Sequence, residues 1–244
     1  MNSHETLLAK LFNTYLADVG NTLLHLFGQT AANPKEPWAD FIVMQILVAV
    51  LMIGIFLVLR ARLSVKAPGK LQHTFELVHS FVSDQGEDQM GHNARHHVVM
   101  FETIFVFLLL ANLIGVIPGF MSATQMVSVP CGCALVAFLY YNIVGLKKNG
   151  LGYLKHFLGP VWWLSPLMLP IEIISHLARP LSLTVRLFAN MYAGEQVTLL
   201  FLSMTYLVAP AVFMGLHVFV SLLQAYIFML MTMLYVAGAV AEEH

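Results

Sequence analysis

Charge is what this 244-residue chain has least of. Asp, Glu, Lys and Arg make up 10% of it, against about 25% in a soluble domain. Hydrophobic residues make up 59%, and the mean hydropathy is +0.77. That imbalance excludes an ordinary soluble domain and points to a polytopic membrane protein. The net charge of −1 offers nothing to a nucleic acid. No phosphate-cradling G-x-x-x-x-G-K loop occurs, so no nucleotide site is expected in the chain. There are only two cysteines, Cys131 and Cys133, in an apolar segment without nearby metal ligands. They are expected to be small packing residues. A His-Glu-x-x-His motif is also missing, so His92, His96 and His97 are expected to be solvated side chains at a membrane boundary rather than metal ligands. No cofactor and no metal are expected.

What remains is apolar sequence cut into segments. Residues 1–30 lack the basic and continuously apolar regions of a signal peptide. Leu8, Leu11, Phe12, Tyr15, Val19, Leu23, Leu26 and Phe27 recur at helical spacing, which predicts an amphipathic helix at a membrane surface within an external segment 1–38. Residues 39–148 hold three ordinary transmembrane helices: Phe41 to Leu59, His96 to Val116 and Ala123 to Leu146. The first two are joined by a polar loop at 60–95, with a short amphipathic stretch at Leu71, Phe75, Val78 and Phe81. A connector follows at 149–164. Eight of the twelve basic residues fall in the two loops on one side: Arg60, Arg62, Lys66, Lys70, Arg95, Lys147, Lys148 and Lys155. Lys10 and Lys35 fall on the other. The excess of cations puts both loops in the cytoplasm and the N-terminus outside.

The last segment, 165–244, is too long for an upright pair of helices. Residues 165–203 would span about 58 Å as continuous helix and 208–241 about 51 Å, against a hydrocarbon core of about 30 Å. The expected fold is therefore all-α: three transmembrane helices, amphipathic surface helices and a steeply tilted two-helix hairpin. The hairpin turns near Met204–Pro210 and ends in the cytoplasm.

This hairpin carries the polar groups. Arg186 has no Asp or Glu within eight residues on either side. A guanidinium does not lose its charge at physiological pH, and holding one at mid-membrane costs from about 2.5 to well above 10 kcal/mol. Ser182, Asn190, Arg179 and Glu172 lie within about 40° of Arg186 around the helix, with His176 on the flank and Glu195 opposite. On the second long helix, His217, Ser221, Gln224 and Tyr235 form one stripe. Counting outward from the turn places Glu195 level with His217, and Arg186 near Gln224. Either an irregularity at Gly194 or a cavity on the far side would reconcile the facing of Glu195. Ionisable groups in lipid are functional by default; Ser182, Ser221 and Tyr235 are more simply packing residues.

Residues 178–195 (ARPLSLTVRLFANMYAGE), His217 and 222–228 (LLQAYIF) strongly resemble subunit a of the F-type ATP synthase membrane sector. The resemblance covers nearly the whole chain, including Ala111-Asn112-Leu113 before Pro118 and the acidic end Glu242-Glu243-His244. It implies a bacterial inner-membrane proton-channel subunit, itself non-catalytic, whose partners are the c-ring, peripheral stalk subunit b and the remaining synthase subunits. Arg186 would be the essential arginine facing the c-ring carboxylate. Glu195 and His217 would line the external half-channel, with Asn112, Asn190 and Gln224 near it. Glu172 and Ser175, flanked by His176, would line the cytoplasmic one. Where the family often carries an acidic residue shortly after the asparagine, this chain has Leu113-Ile114-Gly115-Val116-Ile117, which leaves that role to water or Gln125. The alternative reading is a stand-alone secondary transporter or channel. No inverted repeat or half-helix break supports it.

Overall fold

The computed structural model describes residues 7–26, 36–64, 69–117, 120–150, 165–204 and 208–240. Among them the structure is all-helical. Residues 151–164 of the expected connector 149–164, and the turn residues 205–207, lie outside the described residues.

The N-terminal amphipathic segment forms two helices, α1 (Leu7–Tyr15) and α2 (Ala17–Leu26), rather than one. Trp38 marks the break: its indole Nε1 donates to the carbonyl of Leu16 at 2.8 Å. Asn13 also exchanges hydrogen bonds with the Trp38 backbone, at 3.0 and 3.2 Å. Leu11, Tyr15, Val19 and Leu26 are left exposed.

Helix α3 (Asp40–Ala61) forms where the sequence predicts a span. Asp40 in its first turn and Arg60 in its last complement the helix dipole. Only Val43, Met44 and Val48 are buried, so α3 leans on the bundle along one narrow strip. The polar stretch that follows is largely helical. Residues Lys70–Met90 form a 21-residue helix, α4, followed by a 3-10 turn at Gly91–His96. The amphipathic pattern extends further than its first four residues suggested. Phe75 and Val78 pack on the core and Val82 is fully buried, and Gln85 accepts a hydrogen bond from the Tyr226 hydroxyl at 2.9 Å.

Helix α5 (Val98–Ile114) is two residues shorter at each end than the predicted span. Ala123–Gln125 is a separate 3-10 turn, and α6 runs from Ser128 to Asn149. Gly150 closes α6 with φ +54°, a conformation that L side chains resist, and its N–H reaches the Leu146 carbonyl at 2.9 Å. Gly115 is needed for another reason. A Cβ there would lie 2.8 Å from the backbone N and Cα of Ser122, so the turn packs directly on the α5 terminus.

The two long helices are α7 (Ser165–Met204) and α8 (Val208–Val240). Helix α7 continues through Pro170 and Pro180, as membrane helices tolerate when neighbours support the freed backbone groups. The Thr184 hydroxyl donates to the Pro180 carbonyl at 2.8 Å. The two helices run antiparallel, pairing Arg179 with Tyr235, Asn190 with Gln224, Met191 with Ser221, Gly194 with His217 and Phe201 with Phe213. Helix α8 is the centre of the bundle and packs on α4, α5, α6 and α7. Lipid offers no hydrophobic drive between apolar helices, so close packing must hold them. The fully buried Ala111, Ala134, Ala137 and Ala225 permit that approach.

Among the described residues, three helices are long and apolar enough to cross a membrane: Asp40–Ala61, Ser128–Lys148 and Ala211–Val240. The apolar α5 is shorter, at 17 residues.

Candidate functional site

Helix α7 presents two faces. Leu183, Leu187 and Met191 are buried against α6 and α8. The opposite face, including Ile174, Ala178, Leu181, Ser182, Val185, Ala189 and Ala193, is exposed in the isolated chain. Arg186 is half-buried at the boundary between them. Among the described residues it has no carboxylate partner. Its helical neighbours on the exposed side are Ser182, Ala189 and Asn190, with Ala193 a further turn along.

One turn beyond Arg186, the Asn190 amide donates to Gln224 Oε1 at 2.7 Å. Gln224 is 2% exposed, and its own Nε2 has no partner among the described groups. The stripe predicted on α8 therefore reaches the arginine face of α7 through Asn190.

Farther along, His217 is buried opposite Gly194. It borders two cavities. One, of about 300 Å³, is lined by Glu195, Thr198, His217 and the end of α5 at Gly115–Ile117. The other, of about 220 Å³, is lined by Asn190, Gly194, Val197, His217 and Val220. Glu195 Oε2 and His217 Nε2 are both buried without partners among the described residues. Glu195 thus reaches its cavity on the far side of the helix, and α7 stays helical through Gly194. The polar atoms and voids form a broken line: Glu195 and His217 around the first cavity, Asn190 at the second, then Gln224.

Asn112 sits at the edge of this line and is fully engaged. Its Oδ1 accepts from Thr124 at 2.7 Å, and its Nδ2 donates to the Ser221 carbonyl at 3.4 Å. Thr124 also bonds Ser122, whose hydroxyl donates to the Ala111 carbonyl. This network ties α5, the Ala123–Gln125 turn and α8 together. Gln125 is buried in the same turn, with its Nε2 unpartnered.

At the other end of α7 the predicted trio separates. Glu172 is half-exposed and Ser175 exposed, whereas His176 is buried against α6. There its Nε2 lies 2.9 Å from Asn142 Oδ1 and 3.2 Å from the Tyr141 hydroxyl. Arg179 lies 5.3 Å above the Tyr235 ring, a cation–π contact. Tyr141, Asn142, Ser122 and Thr124 were not among the predicted site residues. Only the short polar run at Ser122–Gln125, at the mouth of an apolar span, could have signalled the turn.

No group of three or more His, Cys, Asp or Glu among the described residues could hold a metal ion. The 42–237 stretch matches the family model described as ATP synthase A chain. The chain is 62% identical over 235 residues to an ATP synthase subunit a from Solibacter usitatus, covering 96% of this chain and all of that one. It is 47% identical to one from Koribacter versatilis, over 99% of both chains. A third, from Geobacter sulfurreducens, is 40% identical over 86% of this chain and 91% of its own.

Proposed function

This chain belongs to the ATP synthase A chain family, as a multi-pass subunit a of a bacterial F-type ATP synthase, and from that premise we propose that it is the proton-translocating stator, with Arg186 facing the carboxylate of a rotating c-ring. The observation that carries the reading is the setting of Arg186: half-buried, without a carboxylate partner among the described residues, beside an open face on which Ser182, Ala189 and Ala193 leave room between the larger Leu181 and Val185. A second helix can approach such a face closely. The wall for the ring is the α7–α8 pair, steeply tilted as a hairpin. Helices of 40 and 33 residues need that tilt to remain within the bilayer.

The mechanism follows from electrostatics. A ring carboxylate turning through lipid must be protonated, because a bare charge there is costly. Beside Arg186 the opposite charge favours the ionised form. The proton leaves into one half-channel, and the other reloads the site. The external half-channel runs from the Glu195 cavity past His217 to Asn190 and Gln224, with Asn112 and Gln125 holding its wall. Glu172 and Ser175 open the cytoplasmic one, and His176 fixes α7 beside it. Arg186 keeps its own proton, so it also separates the half-channels. The N-terminus lies outside and the C-terminus in the cytoplasm, with subunit b as a further partner. The chain carries no nucleotide chemistry of its own. Family membership favours this stator over a stand-alone transporter or channel.

The test is Arg186→Ala and Arg186→Lys in the assembled complex. Both variants should abolish proton-driven ATP synthesis while the complex still assembles: alanine removes a costly charge and lysine replaces one cation by another without the guanidinium's fork geometry. The alanine variant should also leak protons passively. Near-normal synthesis from either would overturn the role of Arg186.

A further inference from the structure

A cavity of about 430 Å³ opens at the end of the bundle where α5 begins and α6 ends. The residues around it fall into two sets. Asn93, His96, His97, Lys147 and Lys148 form a polar and basic rim. Tyr140, Ile143, Val144 and Val240 form an apolar floor. No carboxylate is among its described lining residues. Glu87, on the preceding helix, pairs with Arg95 at 3.4 Å. His97 is held in place, with its Nδ1 2.7 Å from the Tyr140 hydroxyl. The rim also lies at the N-terminal end of α5, where backbone N–H groups favour negative charge. The floor continues into an exposed apolar strip along α6: Val136, Leu139 and Ile143, which are 53%, 52% and 51% exposed.

We propose that this cavity binds an anionic phospholipid, with the phosphate at Lys147, Lys148 and His96 and an acyl chain along Ile143, Leu139 and Val136. A basic rim alone would suit any phosphate. An exposed apolar strip continuous with the rim suits only an amphipathic one, and basic pockets between membrane helices on the cytoplasmic side are the ordinary setting for such headgroups. The proposal rests on the cytoplasmic orientation proposed above but not on the proton path, to which none of these residues belongs.

The experiment uses the purified whole complex and a fluorescent phosphatidylglycerol, with unlabelled phosphatidylglycerol, phosphatidylcholine and inorganic phosphate as competitors. Saturable binding is expected, competed by phosphatidylglycerol and not by phosphatidylcholine. Replacing both lysines (Lys147→Gln with Lys148→Gln) should weaken it by about 30-fold, from the contribution of two surface cations. Both lysines are exposed, so the variant should assemble and retain ATP synthesis. Ile143→Ser should weaken lipid binding too. Unchanged phosphatidylglycerol binding by the double variant, or equal competition by phosphatidylcholine, overturns the proposal. Competition by inorganic phosphate with no effect of Ile143→Ser would assign the cavity to free phosphate and overturn the lipid.

Discussion

Gly194 is the point at which the proposed external path can be narrowed by one carbon at a time. A Cβ added there would lie 3.4 Å from His217 Cδ2 and Nε2 and 3.5 Å from Cε1. That is the near edge of van der Waals contact, so Gly194→Ala presses the ring by a few tenths of an ångström at most. Alanine also improves helix propensity by about 1 kcal/mol, so any loss of function must come from the contact and not from the helix. Gly194→Val is different. Its methyl groups extend a further ~1.5 Å, into the imidazole or the cavity shared by Asn190 and His217. Overpacking of this kind costs about 1–3 kcal/mol. If that falls on the barrier to proton passage, flux drops by about 5- to 150-fold, at tenfold per 1.36 kcal/mol. The assay is proton-driven ATP synthesis and ATP-driven acidification in inverted vesicles, normalised to assembled complex by co-purification of its other subunits. Alanine should lose less than about fivefold, and valine at least that. An assembled Gly194→Val complex with wild-type flux would refute the path past His217.

Three further results are expected. With Cys131 and Cys133 replaced, a cysteine at Lys148 should label only from the cytoplasmic side and one at Glu36 only from outside; the reverse would invert the half-channels. Glu195→Gln and His217→Ala should each impair synthesis, and the double variant should lose less than the sum, because the two line one cavity. Strict additivity would separate them. Gly115→Ala should lower the thermal stability of the assembled complex by about 1–3 kcal/mol, because its Cβ meets the Ser122 backbone; an unchanged melting profile would contradict the close approach.

Much of the fold was legible in the chain because lipid enforces simple rules. Spans must be apolar and about 20 residues long, so α3 and α6 stand within a few residues of their predicted positions. The length of α7 and α8 was legible for the same reason: neither contains a polar break long enough to end a helix. Helix α4 was not legible as a long helix, because its apolar positions are few and its mean character is polar. Its helical state depends on burying Phe75, Val78 and Val82 against a core that exists only once the other helices have assembled.

The site divides in the same way. Sequence alone determined that Arg186 stands without a nearby carboxylate along the chain, that Asn190 shares its face while His217 and Gln224 share a stripe on the second long helix, and that Glu195 and His217 lie equally far from a turn. These follow from covalent order and helical period, which need no tertiary information. Tertiary structure decided which polar groups meet. It bonded Asn190 to Gln224, turned His176 away from Glu172 and Ser175 into α6, and enclosed Glu195 with His217 beside the end of α5. Those outcomes depend on the rotation of each helix against its neighbours. That rotation is set by small residues and close packing between segments far apart in sequence, which periodicity within one helix does not encode.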